Sequence, residues 1–486
     1  MAQPVLPVAL ERGSGISLVA QLANGVRGLV SARAIEPGAR VPSIRALGAD
    51  LGVARAVVEQ AYDQLIAEGW LIARRGAGTY VAEVGRLQVA TVPAGRDAAP
   101  ADETTAGRVR MDTGTPWTDP RHDAGWRRAW REVSAARIPR GYPDAAGIPE
   151  LRAELAGYVS RTRGLSCRPD EVLVTSGITH GLALLLDVLD PGAVAIEDPG
   201  YRAAVATVEQ SGRPVLDVAV DSEGLDVAAL RSSPAAVRAV YVTPAHQHPL
   251  GITMSAGRRI ALLSEATRRG ALVVEDDYDS EFRYDVAPLP ALAALDRDRV
   301  IHLGSASKSV HPGLRLGWLV GPAAVVAAVA ARRGARHDHP PWPVQLAFLS
   351  MLRAGHVDRL VRSARRVYAD RSRLVVQALS SYGDIGSPPA GMYLTLPLPG
   401  PVADSVRAQC WQRGFDIPSL EFYSRTSGRT GLVIGFGGLT DEELSRALDV
   451  LTAALDRERL AVQPTQLDDV RDDEPDPLLA RAYSSP

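Results

Sequence analysis

Residues 304–318 read GSASKSVHPGLRLGW, a glycine-rich stretch in which Lys308 stands seven residues before Arg315 and beside the hydroxyls of Ser305 and Ser307. Lys308 is the single lysine in 486 residues; the other 53 of the 54 basic side chains are arginine. A solvated surface cation can be either residue. Only lysine can give up its proton and attack a carbonyl, because guanidinium stays charged. An amine, a guanidinium and hydroxyls in this register can hold a phosphorylated aldehyde. The amine would form an imine, and Arg315 with Ser305 would take the phosphate through charge-assisted bonds. A basic surface loop would have the same composition, so the surrounding segments must decide.

Upstream, ALVVEDDYDSEF (271–282) is a buried-strand run from Ala271 to Val274 that ends in acids and a tyrosine. Parallel sheets place ligand-binding groups at such strand ends. Asp276 is the carboxylate expected to pair with a pyridinium nitrogen, and Tyr278 lies beyond it, within reach of a ring oxygen. A merely solvated acidic cluster would look similar; a metal site is disfavoured because no matching His or carboxylate set stands nearby. VLVTSGITHGLALLL (172–186) reads as strand, glycine turn and helix, with amides around Ile178 and Thr179 suited to phosphate. AIEDPGYRAA (195–204) places Tyr201 after another strand, where its ring could stack on a ligand or sit in a core. YVTPAHQHPLG (241–251) is a strand followed by a Pro-rich turn carrying His248. Helical patterns alternate with short β-branched runs throughout 121–460, which predicts a parallel α/β sheet.

Residues 15–82 form a separate unit with three helical patterns and a short β-like tail. Ile16–Arg33 carries an apolar stripe; Ser43 is a candidate N-cap for Ile44–Leu51; a third helix runs from Arg55 to Glu68. The second and third are joined by LGVAR as a helix-turn-helix. Two β patterns, Trp70–Ala73 and Thr79–Ala82, flank a glycine-rich tip and make a wing. This geometry suits duplex DNA: Ser43, Arg45 and Arg55 stand near helix starts, and Arg74, Arg75, Gly76, Gly78 and Thr79 form the wing. Residues 1–82 have a net charge of +2 and the remainder −4, a weak polarity. A small packing or dimerisation domain is the competing reading. Residues 83–120 are rich in Ala, Pro, Gly, Thr and Asp and are expected to be a linker. The stretch 463–486 is acidic and is expected to be a disordered tail.

Composition is that of a globular protein, with 46% hydrophobic and 23% charged residues. No apolar run approaches the ~20 residues of a membrane span. Cys167 and Cys410 fit neither a disulfide framework nor a zinc site, so a cytoplasmic location with no membrane partner and no metal is expected.

Residues 15–82 resemble the winged-helix DNA-binding domain of the GntR family, through VPSIRALGADLGV, ARAVVEQAYDQLIAEGWL and RRGAGTYV. Ala54 departs from it, standing where the family carries Ser or Thr as N-cap of the recognition helix. Over about residues 110–460 the order GYPDAAGIPELRAELAGY, TSGITHGL, EDPGY, TPAHQHPLG, EDDYDSEF, SASKSVHPGLRLGW resembles fold type I aminotransferases that bind pyridoxal 5′-phosphate (PLP). The resemblance implies a multidomain chain. An all-α winged helix-turn-helix would precede an α/β aminotransferase-like domain with a smaller C-terminal α+β subdomain at about 365–460. It makes Lys308 the Schiff-base lysine, pairs Asp276 with the ring nitrogen, puts Tyr278 on the ring oxygen and stacks Tyr201. Arg315, Ser305 and the turn at Ile178–Thr179 would hold the phosphate. Tyr142 would reach the phosphate of a neighbouring subunit.

The fusion resembles the MocR branch of bacterial transcription regulators. Membership implies a homodimer, head-to-tail, binding promoter DNA in response to PLP itself or an amine such as 4-aminobutyrate or taurine. Two departures from active aminotransferases stand out. His248 occupies the position of an asparagine that helps hold the ring oxygen. Val433, in GLVIGFGGL, occupies the position of the arginine that clamps a substrate carboxylate, a strong and geometrically specific contact. Arg425 and Arg429 are candidates to substitute, or simply exposed. A PLP-responsive regulator of PLP biosynthesis or amine metabolism is therefore expected over an active aminotransferase with an accessory DNA-binding domain.

Overall fold

The computed structural model describes residues 6–74, 77–83, 107–284, 289–385 and 390–462. Two compact units divide the chain, Met1–Glu103 and Thr104–Pro486.

The first unit contains α1 (Leu18–Ser31), α2 (Ile44–Asp50) and α3 (Arg55–Ala67), then an antiparallel pair, β1 (Leu71–Arg74) and β2 (Gly78–Val81). Ser17 and Ser43 cap α1 and α2 by accepting from the amides of Ala20 and Ala46, while Ala54 gives α3 no side-chain cap. The apolar stripes of the three helices, Leu22, Val26, Val30, Leu47, Val58, Tyr62 and Leu65, meet with Leu71 and Val81 in one core. Burial of such a core, at about 25 cal/mol per Å² of apolar surface, holds the short helices in place. Gly52, at φ +60, ends α2 and sets the turn of the helix-turn-helix.

The second unit opens with β3 (Val109–Arg110), α4 (Asp123–Ala135), α5 (Pro149–Arg163), β4 (Val172–Thr175), α6 (Ile178–Leu186), β5 (Ala193–Asp198) and α7 (Arg202–Gln210). It continues through β6 (Val215–Asp221), β7 (Gly224–Leu225), α8 (Val227–Ser232), β8 (Val237–Val242), α9 (Ala256–Arg269), β9 (Leu272–Asp277), β10 (Val300–Ser305) and β11 (Gly317–Val320). Then come α10 (Ala323–Ala335), α11 (Trp342–Arg353), α12 (His356–Leu379), β12 (Tyr393–Pro397), α13 (Gly400–Gln412), β13 (Phe415–Asp416), β14 (Gly431–Gly435) and α14 (Asp441–Val462).

Eight strands make one sheet in the order β4-β11-β10-β9-β8-β5-β6-β7. Pairs from β10 through β6 are parallel, and β11 runs antiparallel between β10 and β4. Alternation of side chains splits the sheet into two covered faces. Leu173, Val194, Ile196, Tyr241, Val274 and Leu303 join the core beneath α6, α7 and α10; Val172, Val174, Ala195, Val240 and Val273 join the core beneath α5, α9 and α11. The same alternation sends Asp276 toward the first face and Glu275 and Asp277 toward the second.

A further core surrounds the antiparallel pair β12–β14, packed by α12, α13 and α14. It corrects the expected linker at its C-terminal end. Val109–Arg110 pairs in parallel with β13, and Met111 is fully buried in this core. A two-residue strand flanked by Gly, Thr and Asp carries no periodicity that a sequence window could register. The earlier part of that linker, 84–106, and the tail 463–486 lie outside the described residues. Among the described residues no helix is long and apolar enough to cross a membrane, and no cluster of three or more His, Cys, Asp or Glu is arranged to hold a metal.

Candidate functional site

In the first unit, Arg45 and Arg55 are exposed at the first turns of α2 and α3, beside the exposed, capping Ser43. Arg74 extends over the ring of Tyr80, its guanidinium carbon 4.7 Å from the centroid. Gly78 takes φ +111, and a Cβ there would lie 2.8 Å from Arg40 Nε. Arg40 thus packs across the wing, joined to it by a backbone bridge to Tyr80, a neighbour that sequence spacing did not single out. Thr79 is half-buried within β2. Arg75 and Gly76 lie outside the described residues.

In the second unit, one cavity of about 210 Å³ lies at the ends of the parallel strands, where α6, β9 and the 305–315 loop meet. Ten of the eleven residues expected at a ligand site line it: Ile178, Thr179, Tyr201, His248, Asp276, Tyr278, Ser305, Ser307, Lys308 and Arg315. Tyr142 is the exception. It is 76% exposed, with its ring stacked on His339 at 5.1 Å. Thr113 and Gly114 also line the cavity, and Lys308 Nζ donates to the Gly114 carbonyl at 2.5 Å. Both come from the stretch read as linker, which is why spacing around Lys308 could not find them.

Burial pushes the Lys308 amine below its ordinary range; Arg315 adds to this, while Asp112, Asp279 and Asp276 oppose it. Asp276 is pushed up to about 8 by burial, against a hydrogen bond from the Tyr241 hydroxyl and with Asp277 and Asp279 adding to the rise. Its Oδ1 is buried with no partner. A cationic N–H donor would complete that carboxyl. Behind it, the side chains turned to the other face are tied down: Arg163 Nε pairs with Asp277 at 2.5 Å, and Glu275 accepts from the amides of Leu292 and Ala293.

At the opposite end, Gly177 adopts φ +114, ψ 176, a region open essentially to glycine alone, and brings the N-terminus of α6 into the cavity. A Cβ there would lie 3.5 Å from Arg315 Nη2, so helix N-terminus and guanidinium converge. Ser305 Oγ donates to Ser307 Oγ at 2.9 Å and accepts from the Ser307 amide. Three donors of different kinds at one spot suit a phosphate.

His248 is buried, which pushes it down to about 3, so it is neutral at pH 7. Its Nδ1 lies 3.3 Å from the Tyr393 hydroxyl, which also contacts the Tyr278 hydroxyl at 2.6 Å. Val433 is fully buried in the β12–β14 core. Neither candidate substitute faces the cavity. Arg425 pairs with Asp217 at 2.9 Å and Glu209 at 2.7 Å, and Arg429 donates to the Val220 carbonyl at 2.8 Å.

Residues 109–451 match the family model described as aminotransferase class I and II, and residues 18–81 match bacterial regulatory proteins, gntR family. The HTH-type pyridoxine biosynthesis transcriptional regulator PdxR of Corynebacterium glutamicum is 34% identical over 458 residues, 93% of this chain and 98% of that protein. The probable rhizopine catabolism regulatory protein MocR of Rhizobium meliloti is 30% identical, over 92% of this chain and 95% of that protein. Among solved structures, an archaeal alanine:glyoxylate aminotransferase superposes with a TM-score of 0.66 at 28% identity, covering 72% of this chain and 91% of that one. With a gntR-type winged helix ahead of an aminotransferase domain and such relatives along nearly its whole length, the chain belongs to the MocR-like branch of the GntR family of bacterial transcription regulators.

Proposed function

We propose that the aminotransferase domain is a sensor: its cavity takes up PLP, and occupancy alters promoter binding by the winged helix. The carrying observation is the buried, unpartnered Oδ1 of Asp276 in the same cavity as the only lysine of the chain. When bound, PLP supplies an aldehyde that captures amines and a ring that withdraws electrons. Lys308, with its amine biased toward the neutral form, would anchor it. Asp276 would hold a proton on the ring nitrogen, and a cation there would draw its own ionisation back down. Tyr278 and His248 would orient the ring oxygen, and Tyr201 would lie against the ring. Arg315, Ser305, Ser307 and the first turn of α6 at Ile178 and Thr179 would hold the phosphate.

Among the described residues lining the cavity, Arg315 is the single guanidinium. With that side chain committed to phosphate and Val433 in a core, an amino acid would find no bidentate carboxylate partner. This favours PLP itself as the signal over an amino-acid effector. The PdxR relative, a pyridoxine biosynthesis regulator, supports control of PLP supply as the output. The exposed Tyr142 supports a homodimer in which that ring serves the partner's cavity, and the head-to-tail arrangement rests on the family resemblance. Ser43, Arg45, Arg55 and the wing residues from Arg74 to Thr79 would meet DNA. Because the cavity keeps an amine and a ring-pairing carboxyl, slow amine turnover is a second reading, tested with common amino donors.

The decisive experiment titrates a promoter fragment with the protein, with and without PLP and candidate amines, for wild type and Lys308→Ala. Wild-type affinity is expected to change with PLP while the variant's does not. An equal response in both would overturn the sensor reading.

A further inference from the structure

A second cavity, of about 330 Å³, lies behind the loop that carries Lys308, with Val310 and His311 in one wall. Its other walls are the indoles of Trp117 and Trp126, the imidazoles of His122 and His356, and Leu360. We propose that this cavity binds a small aromatic carboxylic acid as a further ligand, distinct from whatever occupies the Lys308 cavity.

Charge and donor groups support an oxyanion. His356 is the first residue of α12, whose start has no side-chain cap, whereas His122 ends a 3-10 turn (Pro120–His122) that runs into α4 and is capped by Asp119 at the Arg121 amide. The first turn of the 24-residue α12 therefore brings uncapped amides and a positive dipole end to this wall. His356 is 4% exposed, yet makes no hydrogen bond among the described residues; its ring packs against Gly125 and lies 6.2 Å, between centroids, from that of His122. Burial lowers its proton affinity, with Arg359 and His122 adding to the effect, so it is a neutral donor in search of an acceptor.

His311 supplies a defined donor. Its Nδ1 accepts from the Gly313 amide at 3.0 Å, so the neutral ring carries its proton on Nε2. Two carboxylates also line the space, each paired with an arginine. Asp119 is chelated by Arg121, at 2.8 Å to Nε and 2.5 Å to Nη2, and Asp123 pairs with Arg127 at 3.1 Å. The three imidazoles are not arranged as metal ligands.

Flat apolar walls choose among oxyanions. Two indoles with Val310 and Leu360 would desolvate a planar ring and give inorganic phosphate nothing to contact. An aromatic ring with one carboxylate uses both the donors and the walls.

The test is calorimetric titration of the full chain with benzoate, acetate and inorganic phosphate, first without PLP and then after PLP has been reduced onto Lys308 with borohydride. Benzoate is expected to bind saturably in both states, at least about tenfold more tightly than acetate or phosphate. His356→Leu is expected to weaken it at least about tenfold, and so is His311→Ala, an exposed position whose substitution leaves the core intact. Absence of saturable binding, or unchanged affinity in His311→Ala, would overturn the proposal. Loss of binding after PLP loading would put benzoate in the Lys308 cavity and overturn it too. Phosphate binding as tight as benzoate would remove the aromatic assignment. The titration without PLP stands even if the sensor reading fails.

Discussion

Tyr241 donates its hydroxyl proton to Oδ2 of Asp276 and leaves Oδ1 buried and unpartnered. The raised value of about 8 has a consequence for the ligand-free protein. An unfolded aspartate titrates near 3.9, so between about pH 4 and 8 the folded chain binds a proton that the unfolded chain does not. Stability from this group is therefore greatest at low pH and falls as pH rises through that window, by up to about 1.4 kcal/mol per pH unit. Asp276→Asn should flatten the slope by one proton's worth in urea denaturation at pH 5 to 8, while weakening PLP retention at least about tenfold. An unaltered slope would mean that the carboxyl ionises normally.

Arg425 illustrates the opposite arrangement, a cation fully matched. It reaches Asp217 and Glu209, and its backbone amide, with those of Thr426 and Ser427, donates to Asp198. Arg425→Ala should cost about 1 kcal/mol in chemical denaturation, a modest figure because the pairs are partly solvated. PLP uptake, followed by absorbance, should be unchanged. Abolished uptake would restore Arg425 as a ligand clamp.

The segments that line the cavity were legible because their residues are close in sequence. Lys308, Arg315, Ser305 and Ser307 share one loop, and strand alternation separates Asp276 from Asp277 without any tertiary knowledge. What stayed hidden came from afar. Gly114 touches Lys308 across 194 residues and belongs to a stretch whose composition reads as linker. Tyr241 and Tyr393 look like ordinary strand tyrosines until folding brings one against Asp276 and the other between Tyr278 and His248. His248 needed the fold as well: its charge follows from burial, which no window of sequence reports. Tyr142 keeps its place in the motif but is exposed and does not line the cavity.

The wing tests whether close backbone approach matters to the first unit. Gly78 combines φ +111 with the Arg40 guanidinium against its Cα. Gly78→Ala forces both a left-handed backbone and a displaced arginine, at a cost of about 1–3 kcal/mol. Promoter affinity should fall, and PLP uptake should not. Equal loss of both would show a fold-wide defect rather than a wing defect.

Ala54 offers a prediction with the opposite sign. It holds N-cap geometry, φ −61 and ψ 142, but has no oxygen with which to accept from the amides of α3. Ser43 makes that contact for α2 at 3.2 Å from the Ala46 amide, in nearly the same conformation. Ala54→Ser should therefore stabilise the first unit by about 1 kcal/mol, and Ser43→Ala should destabilise it by a similar amount. Hydrogen exchange at the amides of α3 reads the first effect directly, because protection there should rise about fivefold. The serine hydroxyl also stands at the start of the recognition helix, so promoter affinity should rise or hold. A fall in protection would mean that Ala54 is constrained by a neighbour rather than merely uncapped.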